Sequence, residues 1–377
     1  HLLLLLLLAI LPFLPNDGGF AQLVSDPMSE FPVKLWAYEQ FFDPQKILGT
    51  TIYSVGYPTP GQLNNPDIFA CLYFNTLQPF FGDVGTYNSM LYLIMFMNLS
   101  STWLLLRLWS NPIASYLGSV VFCWSPLVLA YCITGAITDV YQLWPFPLAI
   151  YFFQRSLTTR KSFALMSGCI FALGFILCPY NFVIFTPVAI PLLFWMWINR
   201  DTFVHPWRKL SYLMLSCLVL TGIYAFQINS IIESNNSHMS SSHLAQTRHA
   251  FPFLGLHINQ TDRYTATLLD YFYYGKDNVI IHEAASRFYR AFSIPVTVII
   301  LSVLALRSGH RLWLLVSILF ILASLGPFLP FSLDTFSEQP INPIWLFLYY
   351  CWPGTDLILE PFRYAFPAFL GLGLASA

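Results

Sequence analysis

Long charge-free apolar runs separated by polar loops set the pattern of this chain. They cover residues 1–16, 85–106, 113–138, 140–154, 162–199, 210–232, 291–306, 312–333 and 364–377. A helix needs roughly 20 apolar residues to cross a hydrocarbon core about 30 Å thick, so these runs predict transmembrane helices. The run 162–199 is too long for one crossing. Pro179-Tyr180-Asn181 sits near its middle, where proline removes a backbone donor and the polar residues favour a wet turn, which predicts two helices. The expectation is about ten spans, the first and last truncated. The segment 140–154 is short and holds Pro145 and Pro147, which predicts a tilted or broken helix. The leading leucines could be a signal-peptide core, but Pro12-Phe13-Leu14-Pro15 follows them in place of a small-residue cleavage site, which favours a first membrane anchor.

Charge sorts the loops. Arg107, then Arg155, Arg160 and Lys161, then Arg200, Arg208 and Lys209, then Arg307 and Arg311 fall in four short alternate loops. Those loops hold nine basic residues and one acid, Asp201. The positive-inside rule places them in the cytoplasm. The remaining seventeen of eighteen acids then fall outside, sixteen of them in the long loops 17–84, 229–290 and 334–363 and Asp139 in a short hairpin. Long polar loops are where sites reside, so any chemistry faces the extracytoplasmic side of the inner (plasma) membrane.

Composition agrees with this picture. Of 377 residues, 9% are charged, against about 25% in a soluble domain. An ordinary soluble enzyme and a nucleic-acid binder are excluded, and a net charge of -1 offers nothing to a polyanion. The seven cysteines include no CxxC pair and lie mostly in apolar runs, which is neither a disulfide framework nor a zinc site. The chain starts at His1 and stops inside an apolar run, so it reads as a fragment of a single transmembrane domain over 1–377.

The outer loops have their own organisation. Asp26 precedes Pro27 and can cap a helix, along which Phe31, Leu35, Trp36 and Tyr38 would lie at headgroup depth. A turn-rich stretch from Gly56 to Pro66 follows. Ile68 to Phe81 is charge-free but carries Asn75, Gln78 and Pro79. As another span it would break the charge alternation, so it reads as an interfacial helix. The second loop opens on a polar stretch, Glu233 to His243, that reads as mobile. His238, His243, His249 and His257 are spaced five, six and eight apart, which fits no helical ligand pair, and a solvated loop is the better reading. Asn259-Gln260-Thr261 fits a glycosylation sequon, which matters only in a eukaryotic host.

Four stretches together bring a known pattern into view. They are Asp26 with the following amphipathic segment and the Pro-rich Tyr57–Asn65; Asn98 to Arg107 followed by Ala114 to Pro126, ending Phe122-Cys-Trp-Ser-Pro126; Gly135-Ala-Ile-Thr-Asp139 leading into Trp144-Pro-Phe-Pro-Leu148; and Glu360-Pro-Phe-Arg363 opening a helix with Gly371 and Gly373. In this order the chain resembles bacterial polytopic glycosyltransferases of the GT-C superfamily, especially YfhO-like and related membrane proteins. The resemblance implies an all-α, polytopic transmembrane helix bundle with extracytoplasmic loops carrying interfacial helices. It implies an enzyme that moves a sugar from a polyprenyl-phosphate carrier to a cell-envelope acceptor. The chain departs from the pattern in having no DxD or tandem acidic pair, so a divalent cation is possible but no metal ligands are assigned.

Such a reaction needs a base for the acceptor hydroxyl and cations for the leaving phosphate. The resemblance makes Asp26, in the first outer loop, the candidate catalytic base; its plain alternative is a helix cap. Glu30 falls four residues later on the same face, where it either shares a substrate or cation with Asp26 or pairs with Lys34. Asp139, in a tight outer hairpin, either faces the same cavity as a substrate-binding group or is a turn residue in headgroup water. Arg363 can bind the carrier phosphate bidentately, or pair with Glu360, or snorkel to the interface. Two rivals remain beside the transferase: a flippase or transporter of lipid-linked sugars, which calls for broken helices and polar groups in mid-span, and a non-catalytic membrane assembly protein.

Overall fold

A computed structural model describes residues 1–13, 68–129, 142–236, 247–251, 256–259, 294–304, 311–326, 342–352 and 364–377. These are helical apart from one small β-ribbon. The helices are α1 (Leu2–Ile10), α2 (Ile68–Leu106), α3 (Pro112–Cys123), α4 (Pro145–Thr158), α5 (Ser162–Leu177), α6 (Pro179–Phe185), α7 (Ala189–Ile198), α8 (Pro206–Asn236), α9 (Val296–Leu304), α10 (Arg311–Ser324), α11 (Pro343–Cys351) and α12 (Ala365–Ser376). Strands β1 (Thr247–Phe251) and β2 (Leu256–Asn259) pair antiparallel, with His249 opposite His257 and a bulge before Phe251. The sequence carried no expectation of this ribbon.

Two helical stretches among the described residues, Leu72–Leu106 and Asn181–Ile198, are long and apolar enough to cross a membrane. The first is not one straight rod. Gly82 breaks it with φ 65° and ψ 178°, a conformation that costs glycine little and other residues much. Beyond the break, the Tyr73 hydroxyl donates to Ser89 Oγ at 3.0 Å. On an unbroken helix these residues would stand about 24 Å apart along the axis, at 1.5 Å per residue. The arm before Gly82 therefore doubles back along the start of the second arm, and Gln78 Nε2 bonds Asp83 Oδ1 at 3.0 Å beside the bend. Sequence separates 68–81 from the span at 85–106, as the structure does, but the arm lies folded against that span.

Prolines mark other boundaries. The run 162–199 divides where expected: α5 ends at Leu177, Cys178 is extended, and Pro179 opens α6. A 3-10 turn at Thr186–Val188 then separates α6 from α7. Pro145 and Pro147, expected to tilt or break a helix, instead occupy the first turn of α4, where the missing N–H groups would have had no partner. The run 113–138 yields a shorter helix. Asn111 caps α3 by accepting from the Ala114 amide at 3.0 Å; the helix ends at Cys123, before Trp124-Ser125-Pro126. Proline disfavours helical geometry in the residue before it. With α5, α10, α12 and the Leu2–Phe13 segment, α3 is an apolar helix of 10–17 residues, shorter than a perpendicular crossing.

The chain forms two compact units, His1–Ser101, Tyr131–Asn181 and Val204–Ser240 in the first and Thr102–Ala130, Phe182–Phe203 and Ser241–Ala377 in the second. In the first, α5 packs between α4 and α8. Gly174 admits the Phe146 ring, which would stand 3.0 Å from an added Cβ, while Gly168 faces Leu213 O and Ser216. Ser167 Oγ donates to Ala149 O at 2.7 Å and Ser216 Oγ to Leu165 O at 3.1 Å. Small residues and hydroxyls at helix crossings let backbones approach closely. Phe13 meets Tyr92 edge-on at 5.1 Å.

The second unit is built around α12, whose residues from Ala365 to Ala375 are all buried. A helix apolar on every side belongs inside. A Cβ on Gly118 of α3 would stand 2.5 Å from Gly373 O, and one on Gly371 would stand 2.7 Å from Trp313 O of α10.

The helices also leave large apolar side chains outward. On α8 they are Trp207, Met214, Leu215, Leu218, Val219 and Ile223, with Leu218 62% exposed. Their spacing follows the helical period. Together with Leu165 and Met166 of α5, exposed in the same unit, this face resembles a surface solvated by hydrocarbon more than one solvated by water.

Candidate functional site

Asp26, Glu30, Asp139 and Arg363 all lie outside the described residues, so the structure brings none of them together and separates none of them. What it describes is how the neighbouring chain is held.

Asp139 is followed by Gln142, which is 1% exposed, and by Leu143. The Leu143 amide donates to Asn98 Oδ1 at 3.0 Å, a buried bond between the entry to α4 and the middle of α2. A buried amide without a partner costs about 1–3 kcal/mol, so Asn98 fixes where the chain after Asp139 enters the bundle. Thr86, Asn88, Gln142 and Asn181 are buried polar side chains of this same unit. Thr86 Oγ1 and Trp144 Nε1 are buried with no hydrogen-bond partner. In the sequence Asn98 and Trp144 stand out only as parts of motifs; their burial is a property the sequence does not supply.

Arg363 precedes Tyr364, the fully buried residue before α12. Its ring packs on Phe320 of α10 at 6.1 Å. Elsewhere in this unit Asn342 caps α11, accepting from the Ile344 and Trp345 amides at 3.2 and 3.3 Å. Its Nδ2 donates to Leu322 O at 2.6 Å and Gly326 O at 2.8 Å, which serves the carbonyls at the end of α10. At the far end of α11, Trp352 Nε1 donates to Thr186 Oγ1 at 2.7 Å. Thus α11, inside the loop 334–363, is anchored at both ends.

The basic loops meet in pairs. In the first unit Lys209 is 6% exposed; its ammonium donates to Ser156 O and, at 3.2 Å, to Thr159 O, the last carbonyls of α4. Cations are favourable at a helix C-terminus. Burial nonetheless pushes the Lys209 pKa below its ordinary value. The Val204 amide adds a bond to Leu157 O at 3.2 Å. In the second unit Trp109, just after Arg107, packs on Trp313, just after Arg311, at 5.9 Å. Each pair joins two loops that charge assigns to one side of the membrane.

Among the described residues no group of three or more His, Cys, Asp or Glu could hold a metal ion. Comparisons with protein-family models, curated proteins and solved structures find no match for the chain. The class these observations define is a mainly helical protein with two stretches able to cross a membrane.

Proposed function

We propose that the chain is a multi-pass inner-membrane glycosyltransferase of GT-C type, with about ten spans, short basic loops in the cytoplasm and long loops outside. It transfers a sugar from a polyprenyl-phosphate carrier to a cell-envelope acceptor. Asp26 is the base that accepts the acceptor's hydroxyl proton as that oxygen attacks the anomeric carbon; the carrier phosphate leaves with the bonding electrons. Arg363 stabilises that phosphate, and Glu30 and Asp139 contact donor or acceptor hydroxyls.

One observation carries most of the support, the contact within each unit between loops that charge places on the same side. The Lys209 bonds put the C-terminal end of α4 with the start of α8. Asp139 precedes α4, which is 14 residues long, or about 21 Å at 1.5 Å per residue. The start of α4, which follows Asp139 in sequence, therefore stands at the end away from the basic pair, which supports extracytoplasmic chemistry.

A second reading has its own observation. Transport favours discontinuous helices, and the chain breaks at Gly82 and Cys178 in the first unit and at Trp124-Ser125 in the second; Asn98 of the first unit is buried. A flippase for lipid-linked sugars would use such breaks.

The test places the full-length protein in liposomes with a panel of polyprenyl-phosphate sugars and follows release of the free carrier phosphate. Wild type should release it, and Asp26→Asn should lower the rate about 10²–10⁴-fold, the range for a general base, with donor binding retained. Release untouched by the substitution would make Asp26 a helix cap. Labelled lipid crossing the bilayer with no release would overturn the transferase in favour of the flippase.

A further inference from the structure

At the Lys209 end of the first unit, Arg155, Arg160, Lys161 and Arg208 are all exposed. None pairs with a carboxylate among the described residues, and residues 155–161 and 204–212 contain no acid. Lys161 and Arg208 flank one ring. The Lys161 ammonium lies 5.9 Å and the Arg208 guanidinium carbon 5.8 Å from the centre of Tyr212, and Arg208 Nε donates to the Tyr212 hydroxyl at 3.0 Å. Like charges held to one side chain by a folded junction repel each other unless an anion lies between them. The junction is fixed: Lys209 is bonded to the end of α4, and Gly168 seats α5 on Leu213 and Ser216 of α8.

The chemistry of the surroundings selects the anion. Trp207, 49% exposed, stands beside Arg208 at the start of α8, as an indole at headgroup depth does. From there Met214, Leu215, Leu218 and Val219 of α8 form an exposed apolar lane, with Leu165 and Met166 of α5 exposed as well. A free phosphate would use the cations and ignore the lane. A lipid uses both.

We propose that this face of the first unit binds an anionic phospholipid of the inner leaflet, its phosphodiester held by Lys161 and Arg208 beside Tyr212 and its acyl chains along the exposed sides of α5 and α8. Arg155 and Arg160 add to the attracting field. The proposal rests on the reading of the chain as a membrane protein with its basic loops in the cytoplasm, and it is independent of the sugar chemistry.

The test offers the purified full chain, in detergent, equal amounts of dioleoyl phosphatidylglycerol and dioleoyl phosphatidylcholine and reads the lipid retained by native mass spectrometry. Wild type should retain the glycerol lipid preferentially. Lys161→Gln and Arg208→Gln should each lower that preference about fivefold, the contribution of one basic residue at an anionic surface. The charge-keeping pair Lys161→Arg and Arg208→Lys should hold it, which separates a lost site from a lost fold. Arg107→Gln with Arg311→Gln removes two charges elsewhere and should leave the preference intact. Equal retention of both lipids by wild type overturns the proposal, as does an equal loss in the Arg107 and Arg311 variant. Displacement of the glycerol lipid by millimolar inorganic phosphate also overturns it, making the anion a free phosphate. Flotation with neutral phosphatidylcholine vesicles tests the underlying reading separately. A protein that stays in solution without detergent and never floats would end both.

Discussion

Lys209 and Thr159, fifty residues apart, are joined by an ammonium-to-carbonyl hydrogen bond of 3.2 Å, and the same ammonium reaches Ser156 O. One side chain thereby closes the C-terminus of α4 and fixes the start of α8. Lys209→Met keeps most of the stem and removes the donors, leaving two helix-end carbonyls unserved. The expected loss is about 1–3 kcal/mol, read as a lower thermal midpoint in detergent. An unchanged midpoint would mean water serves those carbonyls as well as the lysine does.

The same lysine gives the protein a pH signature. Its folded pKa lies below the ordinary 10.5 because burial disfavours the charged form. Between the folded value and 10.5 the unfolded chain binds more protons than the native one, so stability rises with pH across that window and levels off above it. Measured against Lys209→Met, wild type should gain stability as pH climbs toward 10.5. A difference that shrinks over that range would contradict the burial account.

Gly118 and Gly373 make the opposite kind of junction, backbone on backbone. An alanine at Gly118 puts its methyl 2.5 Å from Gly373 O, and overpacking of this sort costs about 1–3 kcal/mol. Gly222 of α8 has nothing within 4 Å of an added Cβ. Gly222→Ala should therefore raise stability by about 0.4–1 kcal/mol. Paired melts of the two variants test the packing directly; two shifts of the same sign would refute it.

Asn98→Ala leaves the buried Leu143 amide without its acceptor, at an expected cost of about 1–3 kcal/mol. Hydrogen exchange at Leu143 should rise in the variant more than exchange at the far end of α4. Uniform loosening of the whole unit would show that Asn98 does no more than fill space.

If Arg363 grips the carrier phosphate with both arms of its guanidinium, Arg363→Lys keeps the charge and loses the fork. One charge-assisted bond lost should weaken donor binding about tenfold or more, seen in titration with a polyprenyl-phosphate sugar. Equal affinities would return Arg363 to a pairing or snorkelling role.

Part of the architecture was legible because prolines and polar residues act locally. Pro179 divides one apolar run, and Asn75, Gln78 and Pro79 set 68–81 apart from the run at 85–106. Pro145 and Pro147 were misread because proline is a breaker inside a helix and a starter in its first turn, and which applies depends on where the chain enters the bundle. The end of α3 had a local signal, Pro126, outweighed by the unbroken hydrophobicity around it. The ribbon at 247–259 is short, with Pro252 and Gly255 between its strands as its only punctuation. The fold-back of 68–81 depends on Tyr73 finding Ser89, a tertiary event with no sequence period. The acids Asp26, Glu30 and Asp139 and the cation Arg363 lie outside the described residues, and no helical or strand periodicity in the sequence fixes where they stand.

The burial of α12 has a consequence for the order of assembly. Its contact surfaces on α3 and α10 are made first as a chain grows from its N-terminus, and Gly118 precedes Gly373 by about 250 residues, some 13–50 s of synthesis at 5–20 residues per second. Through that interval the second unit has a slot where its central helix will sit, lined by Gly118, Trp313 and Ser317 as they arrive. The helix that closes the unit emerges after the surfaces it covers, so synthesis must reach α12 before this half of the protein can begin to hold together.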